Sequence, residues 1–205
     1  MAAAASDIAF TDAVKAMQTR RGSREIYATR EAGGGFRTEI TDDLVGFLGD
    51  VDTAYLATAS AEGQPYAQHR GGPKGFIRRV GKRTLGFADF TGNRQYVTTG
   101  NLMENDRAFL FLMDYAHRRR IKIWGRARVV EDSQLIETLM PAGYRARPEQ
   151  AVLFDVEAWD VNCPRHIPQK IDAEDVARAF EGLRQRIESL ERENAALKEA
   201  SRRSD

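Results

Sequence analysis

At 205 residues the chain is long enough for one substantial domain with accessory helices, and such a core needs neither disulfides nor a structural metal. Its 31 basic and 30 acidic side chains nearly cancel, which excludes a general field for nucleic acid and confines any anion site to a local cluster. The single cysteine, Cys163, excludes an internal disulfide, and with three histidines it makes a poor zinc set.

The opening MAAAASDIAF has neither the basic stretch nor the apolar run of a secretory signal. No segment approaches the roughly 18 apolar residues of a membrane span. A reducing, cytoplasmic setting with no membrane partner is therefore expected. Residues 1–40 read as a helical arm and linker. Thr11 is a plausible N-cap for a short helix with Val14 and Met17 on one face, and the arm then dissolves into charge and the run Gly33-Gly34-Gly35.

Residues 41–170 carry the fold. Thr41 caps a helix whose apolar side is Leu44, Val45, Phe47 and Leu48. Segments of strand composition follow at 53–60 and 65–70, joined through the turn signal Glu62-Gly63, and then at 83–90, 108–115, 120–130 and 151–161. Helices are expected near 94–104 and 133–140, the second announced by Ser133 with Leu135, Ile136 and Leu139 inside. Six strands with few helices predict a mainly β (α+β) domain built on a barrel or strongly curled sheet, not a doubly wound α/β domain.

Residues 171–205 read as one long helix. Val176, Phe180, Leu183, Ile187, Leu190, Asn194 and Leu197 alternate steps of four and three, a heptad seam with one polar residue. In a parallel homodimer Arg186 would face Glu191, and Glu193 would face Lys198. The other arrangement this pattern allows is an amphipathic helix packed on its own barrel. No basic region precedes the seam at zipper spacing, so no nucleic-acid partner is expected.

Three places concentrate cations and glycines. Arg70-Gly71-Gly72-Pro73-Lys74-Gly75 ends one strand in a loop where backbone N–H groups can approach a ligand and Arg70 offers a fork suited to phosphate. Asn93-Arg94-Gln95 stands at the mouth of a predicted helix, where unpaired N–H groups favour an anion. Along a strand Arg118, Arg120 and Lys122 would share one face. Each has a plain structural reading: a turn, an exposed first-turn arginine, and a solvated outer sheet face.

Together these segments resemble the FMN-binding split barrel of pyridoxamine 5′-phosphate oxidases. The likeness runs through PYAQHRGGPKGF, FADFTGNRQYVTTGNL, LFLMDY, RRRIKIWGRARVV and VEAWDVNCPRHIPQK. It implies an FMN site in which Arg70, Lys74 and Gly75 form the first loop, and Phe87 and Ala88 lie along the cofactor. Asn93, Arg94 and Gln95 hold its phosphate, and Arg120 occupies the position of a flavin-facing glutamine. Gln95 stands where that family has lysine. The family's terminal substrate motif, an Arg-Leu-His-type segment, is not evident, which argues against pyridoxal-phosphate synthesis.

The implied protein is an FMN-dependent oxidoreductase acting on a small-molecule substrate, dimeric with the cofactor at the subunit interface. The alternatives are a flavin- or haem-binding module for storage or sensing, or a deazaflavin-dependent reductase. No side chain is an obvious catalyst. His166 is the candidate proton donor, Cys163 is either a reactive thiol or a small buried side chain, and His69 and His117 read as hydrogen-bonded or solvated.

Overall fold

A computed structural model of the chain describes residues 4–161 and 164–204. Cys163, expected as a reactive thiol or a small buried side chain, lies with Asn162 outside the described residues. The chain divides into two compact units, residues 1–114 with 119–165, and residues 115–118 with 166–205.

The first unit begins with a 3-10 turn at Ala5–Ile8 and helix α1 (Asp12–Arg20), capped as expected by the Thr11 side chain. A second helix, α2 (Arg24–Ala32), replaces the expected dissolution into charge. Its sequence, REIYATREA, has no apolar stripe for periodicity to detect, but consists largely of good helix formers, and Arg24 pairs with Glu31 along it. The arm ends at the three glycines, two of which, Gly34 and Gly35, take positive φ. An aromatic ladder then ties it to the sheet. Phe10 meets Phe36 edge-on at 5.2 Å, and Phe36 stacks on Trp124 at 5.2 Å.

Helix α3 (Asp42–Asp50) buries Leu44, Phe47 and Leu48. The strands are β1 (Thr53–Ala59), β2 (Pro65–Gly71), β3 (Arg78–Arg79), β4 (Thr84–Phe90), β5 (Arg107–Asp114), β6 (Arg119–Val130) and β7 (Pro148–Val161). They form one antiparallel sheet in the order β2-β1-β5-β6-β7-β4-β3. The two-residue β3 is too short to show a strand pattern in sequence. Alternation sends Ala54 and Leu56, Leu85 and Phe87, Leu110 and Leu112, Ile121 and Ile123, and Val152 and Phe154 into a single core. One apolar cluster drawing on β1, β5, β6, β7 and β4 requires the sheet to curl around it. Mainly β with flanking helices is therefore the observed class.

A bulge in β7 re-aims its last residues. Trp124 pairs with Ala158 and Gly125 with Val156, so Glu157 is the extra residue. Beyond it Trp159 turns inward and donates its indole N–H to the Glu39 carbonyl at 2.8 Å. Gly125 permits this closeness: a Cβ there would sit 2.0 Å from the Asp155 carbonyl oxygen.

Two helices close the unit. Helix α4 (Val97–Glu104) starts later than the sequence suggests, because Arg94 and Tyr96 take left-handed φ of 59° and 54°. An α-helix cannot run through such residues. Helix α5 (Ser133–Leu139) is capped by Asp132, whose carboxylate accepts from Leu135 N–H, rather than by Ser133. It packs Leu139 against Ala88 and Ala151 on the outer side of the sheet.

In the second unit, the segment leading to helix α6 (Ala173–Ser204) is fastened to the turn at residues 115–118. Lys170 N–H donates to the Tyr115 carbonyl at 3.4 Å, and its ammonium lies 4.4 Å from the Tyr115 ring centre. Gln169 bridges the Ala116 carbonyl at 2.9 Å and the Arg118 guanidinium at 3.2 Å. Among the described residues no helix is long and apolar enough to cross a membrane.

Candidate functional site

Directly opposed residues on paired strands share a face of the sheet. Arg70 pairs with Ala54 and Gln68 with Leu56, so both polar side chains point inward, as do Asp89 and its partner Gln150. Four polar groups on an apolar face need partners, and they find one another. Arg70 donates from Nη1 to Asp89 Oδ1 at 2.7 Å. Gln150 Nε2 donates to Asp89 Oδ2 at 2.9 Å and to Thr99 Oγ1 at 3.1 Å. Thr98 Oγ1 donates to Gln68 Oε1 at 3.0 Å. The network ties β2, β4, β7 and α4 together at one end of the curled sheet.

A cleft runs between β2 and β4, the two strands that the curl brings face to face. Its volume is about 190 Å³, bounded by Gln68 to Gly71 on one side and Phe87 to Phe90 on the other. It continues past Asp89 and Phe90 to the loop 92–96 and the first turn of α4. At that end Asn93 Oδ1 accepts from Gln95 N–H at 3.2 Å, which sets the turn holding Arg94. Arg94 is exposed and makes no hydrogen bond or ion pair among the described residues. The N-cap of α4 is Tyr96, which offers no side-chain acceptor to the helix. Its hydroxyl instead donates to Glu149 Oε1 at 2.6 Å, a bond that holds the phenol above its ordinary pKa.

The expected site residues fall into distinct groups. Arg70, Asn93, Arg94 and Gln95 border one continuous cleft. Phe87 also borders it but turns its ring into the core, 6.0 Å from the Phe76 ring, while Ala88 faces the outer cluster beneath α5. Only the backbone of that strand can present both to one ligand. Lys74 is exposed on the β2–β3 loop, and Gly75, at φ 78°, donates its N–H to the Val51 carbonyl at 3.1 Å. Neither borders the cleft.

Arg120 stands apart. It pairs with Met113 on the face opposite the core, and the cleft residues Arg70, Asp89 and Gln150 occupy the inner face. Its Nε is buried without a hydrogen-bond partner, as is Nε of Arg70. The expected row of three cations does not form. Arg118 sits in the turn with φ 53°, and Lys122 is committed to Asp160 at 3.5 Å and to the Trp124 ring at 5.1 Å. His69 packs edge-on against Tyr55, and His117 lies in the turn before β6. His166 is exposed in a left-handed turn of the other unit.

Gln68, Asp89, Phe90, Tyr96, Thr98, Thr99, Glu149 and Gln150 line the cleft without being among the residues expected from sequence. Asp89 and Gln150 did carry a signal. Each falls at an inward position of its strand, in step with Leu85 and Phe87 or with Val152 and Phe154.

No curated protein matches the chain. Among solved structures, HupZ of Group A Streptococcus aligns with a TM-score of 0.50 at 16% identity, covering 64% of this chain and 99% of that one. A putative pyridoxamine 5′-phosphate oxidase of Lactobacillus delbrueckii gives 0.47 at 19% identity over 60% and 95% of the two chains. An FMN-binding protein of Syntrophomonas wolfei gives 0.44 at 11% identity over 76% and 98%. At such identities the likeness to HupZ is one of fold. The profile described as pyridoxamine 5′-phosphate oxidase matches residues 40–163, more than half of the sequence and the whole of the curled sheet. The chain therefore belongs to the pyridoxamine 5′-phosphate oxidase family, and its fold is that family's split barrel.

Proposed function

We propose that the protein binds FMN in the cleft between β2 and β4 and uses it for redox chemistry on a small organic substrate. The observation that carries this reading is Arg94, a cation with no hydrogen-bond or ion-pair partner among the described residues, held beside the uncapped N-terminus of α4 at the end of the cleft. A cation at a helix N-terminus is opposed by the helix dipole unless an anion joins it. The 5′-phosphate of FMN is such an anion, bound by charge-assisted hydrogen bonds from Arg94 and by free N–H groups of the first turn.

The rest of the cleft fits this assignment. Asp89 would repel a phosphate, but its charge is neutralised by Arg70 and its second oxygen is occupied by Gln150. Arg70 thus acts as the brace of the cleft, and its buried Nε has no hydrogen-bond partner among the described residues. Asn93 and Gln95 shape the anion loop, and the β4 backbone at Phe87 and Ala88 offers a flat wall to the ring. Lys74 and Gly75 lie on the β2–β3 loop, outside the cleft lining. When bound, the flavin supplies hydride and electron transfer, and the protein supplies binding, orientation and electrostatics. No side chain needs to be an obligatory catalyst, and His166 is the residue to test for a proton-transfer role.

A homodimer completes the site in this reading. A volume of about 190 Å³ is below the roughly 300–1,000 Å³ usual for ligand pockets, so one chain would cover a flavin incompletely. Arg120, on the outer face, reaches a flavin in the cleft only if it comes from a second copy. Its unpaired guanidinium would then meet the electron-rich edge of the ring.

Anaerobic mixing of the FMN-loaded protein with NADH or NADPH tests the redox part. Bleaching of the flavin band faster than for free FMN is expected with one of them. Retained FMN that neither donor reduces faster would leave a flavin-binding module without this activity.

A further inference from the structure

Helix α6 lies beyond the residues matched by the family profile, so the split barrel does not account for it. Its 32 residues carry an apolar stripe that is exposed throughout, from 38% at Val176 to 67% at Phe180. In heptad terms Ala173, Phe180, Ile187 and Asn194 hold position a, and Val176, Leu183, Leu190 and Leu197 hold position d. We infer that α6 pairs with α6 of a second copy of this chain as a parallel, in-register, two-stranded coiled coil.

The ion pairs of the helix indicate which occupant fits the stripe. Arg178 pairs with Glu174 and Asp175, Arg184 with Glu188, and Arg203 with Glu199. Apart from Arg184, these charges occupy positions b, c and f, on the outer side of the helix. Arg186 and Glu193 at g, and Glu191 and Lys198 at e, make no ion pair among the described residues. Parallel pairing sets each g position beside the following e position of the other helix. Arg186 of either copy then meets Glu191 of the other, and Glu193 meets Lys198. All four charges gain a partner of opposite sign, and no like charges meet at these positions.

The seam specifies orientation and number as well. Ile187 at a with leucine at the flanking d positions favours two parallel strands. Position a faces a in a parallel pair, so Asn194 meets Asn194 and each amide has a partner. In an antiparallel pair a faces d, and the amide would be buried against an apolar side chain. A buried asparagine at a is a register device, and here it would align the two copies. The pairing does not rest on the flavin reading, since no residue of the cleft belongs to α6.

Disulfide trapping in the full chain tests it. Leu183→Cys and Leu197→Cys are made separately in a Cys163→Ser background, with Gln185→Cys on the outer side as control. Circular dichroism confirms that each variant keeps the wild-type helix content. In-register parallel pairing predicts disulfide-linked dimers for both Leu183→Cys and Leu197→Cys under mild oxidation, and little for Gln185→Cys. Trapping at only one of the two leucine positions would mean antiparallel pairing and overturn the inference. So would trapping at neither, as expected if α6 packs on its own chain, or equal trapping at the control. FMN uptake measured on the same samples should match that of the Cys163→Ser parent.

Discussion

Arg70 on β2 and Asp89 on β4 lie 2.7 Å apart, although four strands separate them in the hydrogen-bonded order of the sheet. The pair shows how far the sheet has curled: its separated strands are joined by side chains where no ladder connects them. Both side chains are nearly buried, at 13% and 10% exposure, so neither charge tolerates loss of the other. The same pair forms the floor of the cleft assigned to the cofactor.

Arg70→Met should therefore leave Asp89 buried and unpaired, costing about 3 kcal/mol in urea unfolding. The double variant Arg70→Met/Asp89→Leu should recover part of that loss, because an apolar pair replaces an ion pair at less cost than a lone charge. Full additivity of the two single changes would mean that the residues do not act as a pair.

Arg120 makes the opposite prediction for stability. It has no partner among the described residues, so Arg120→Met should leave the chain as stable or more stable in the absence of FMN. If Arg120 reaches the flavin of a second copy, the variant should also bind FMN about 10-fold more weakly, corresponding to one charge-assisted hydrogen bond. Thermal denaturation and FMN titration together read both signs.

Tyr96 provides a pH signature. The hydrogen bond to Glu149 raises the phenol above its ordinary value of 10.0, so the folded protein holds that proton more tightly than the unfolded chain. The stabilisation is fully present below pH 10.0 and is lost as pH rises through the raised value. Ultraviolet titration should show a late-ionising phenol phase, and Tyr96→Phe should abolish it. The stability gap between wild type and Tyr96→Phe should close at strongly alkaline pH.

Gly125→Ala should be severely destabilising, on the order of 4 kcal/mol or more, since its Cβ would fall 2.0 Å from a backbone oxygen. Fluorescence of Trp159, held inward by the same bulge, should report the disturbance. A near-neutral result would show that β6 and β7 separate easily at this point.

Much of this architecture was legible in the chain because its physics is periodic. Strand composition in AFLFLMDY and RIKIWGRARVV marks β5 and β6, and the step pattern from Val176 to Leu197 marks α6. What escaped notice depended on tertiary partners. The charged helix α2 has no stripe, β3 has two residues, and the late start of α4 follows from left-handed Arg94 and Tyr96, which no propensity favours. Within the site, the cations are legible because they suit phosphate. The carboxylate that fixes Arg70 is marked only by Asp89 standing at an inward position among apolar residues of its strand. The separation of Arg120 from the cleft residues follows from which face each strand position takes, which becomes readable only once register is known.

In the proposed site Arg94 and the start of α4 hold the phosphate of FMN. The most direct test of this assignment is titration of the purified full-length protein with FMN and with riboflavin, for wild type and Arg94→Ala, followed by absorption spectroscopy after desalting. Wild type should retain the flavin bands, and Arg94→Ala should bind FMN roughly 10- to 100-fold more weakly, the worth of a charged hydrogen bond. Riboflavin, which lacks the phosphate, should bind both proteins alike. A wild-type protein that remains colourless, or an Arg94→Ala variant that binds FMN as tightly as wild type, would contradict it.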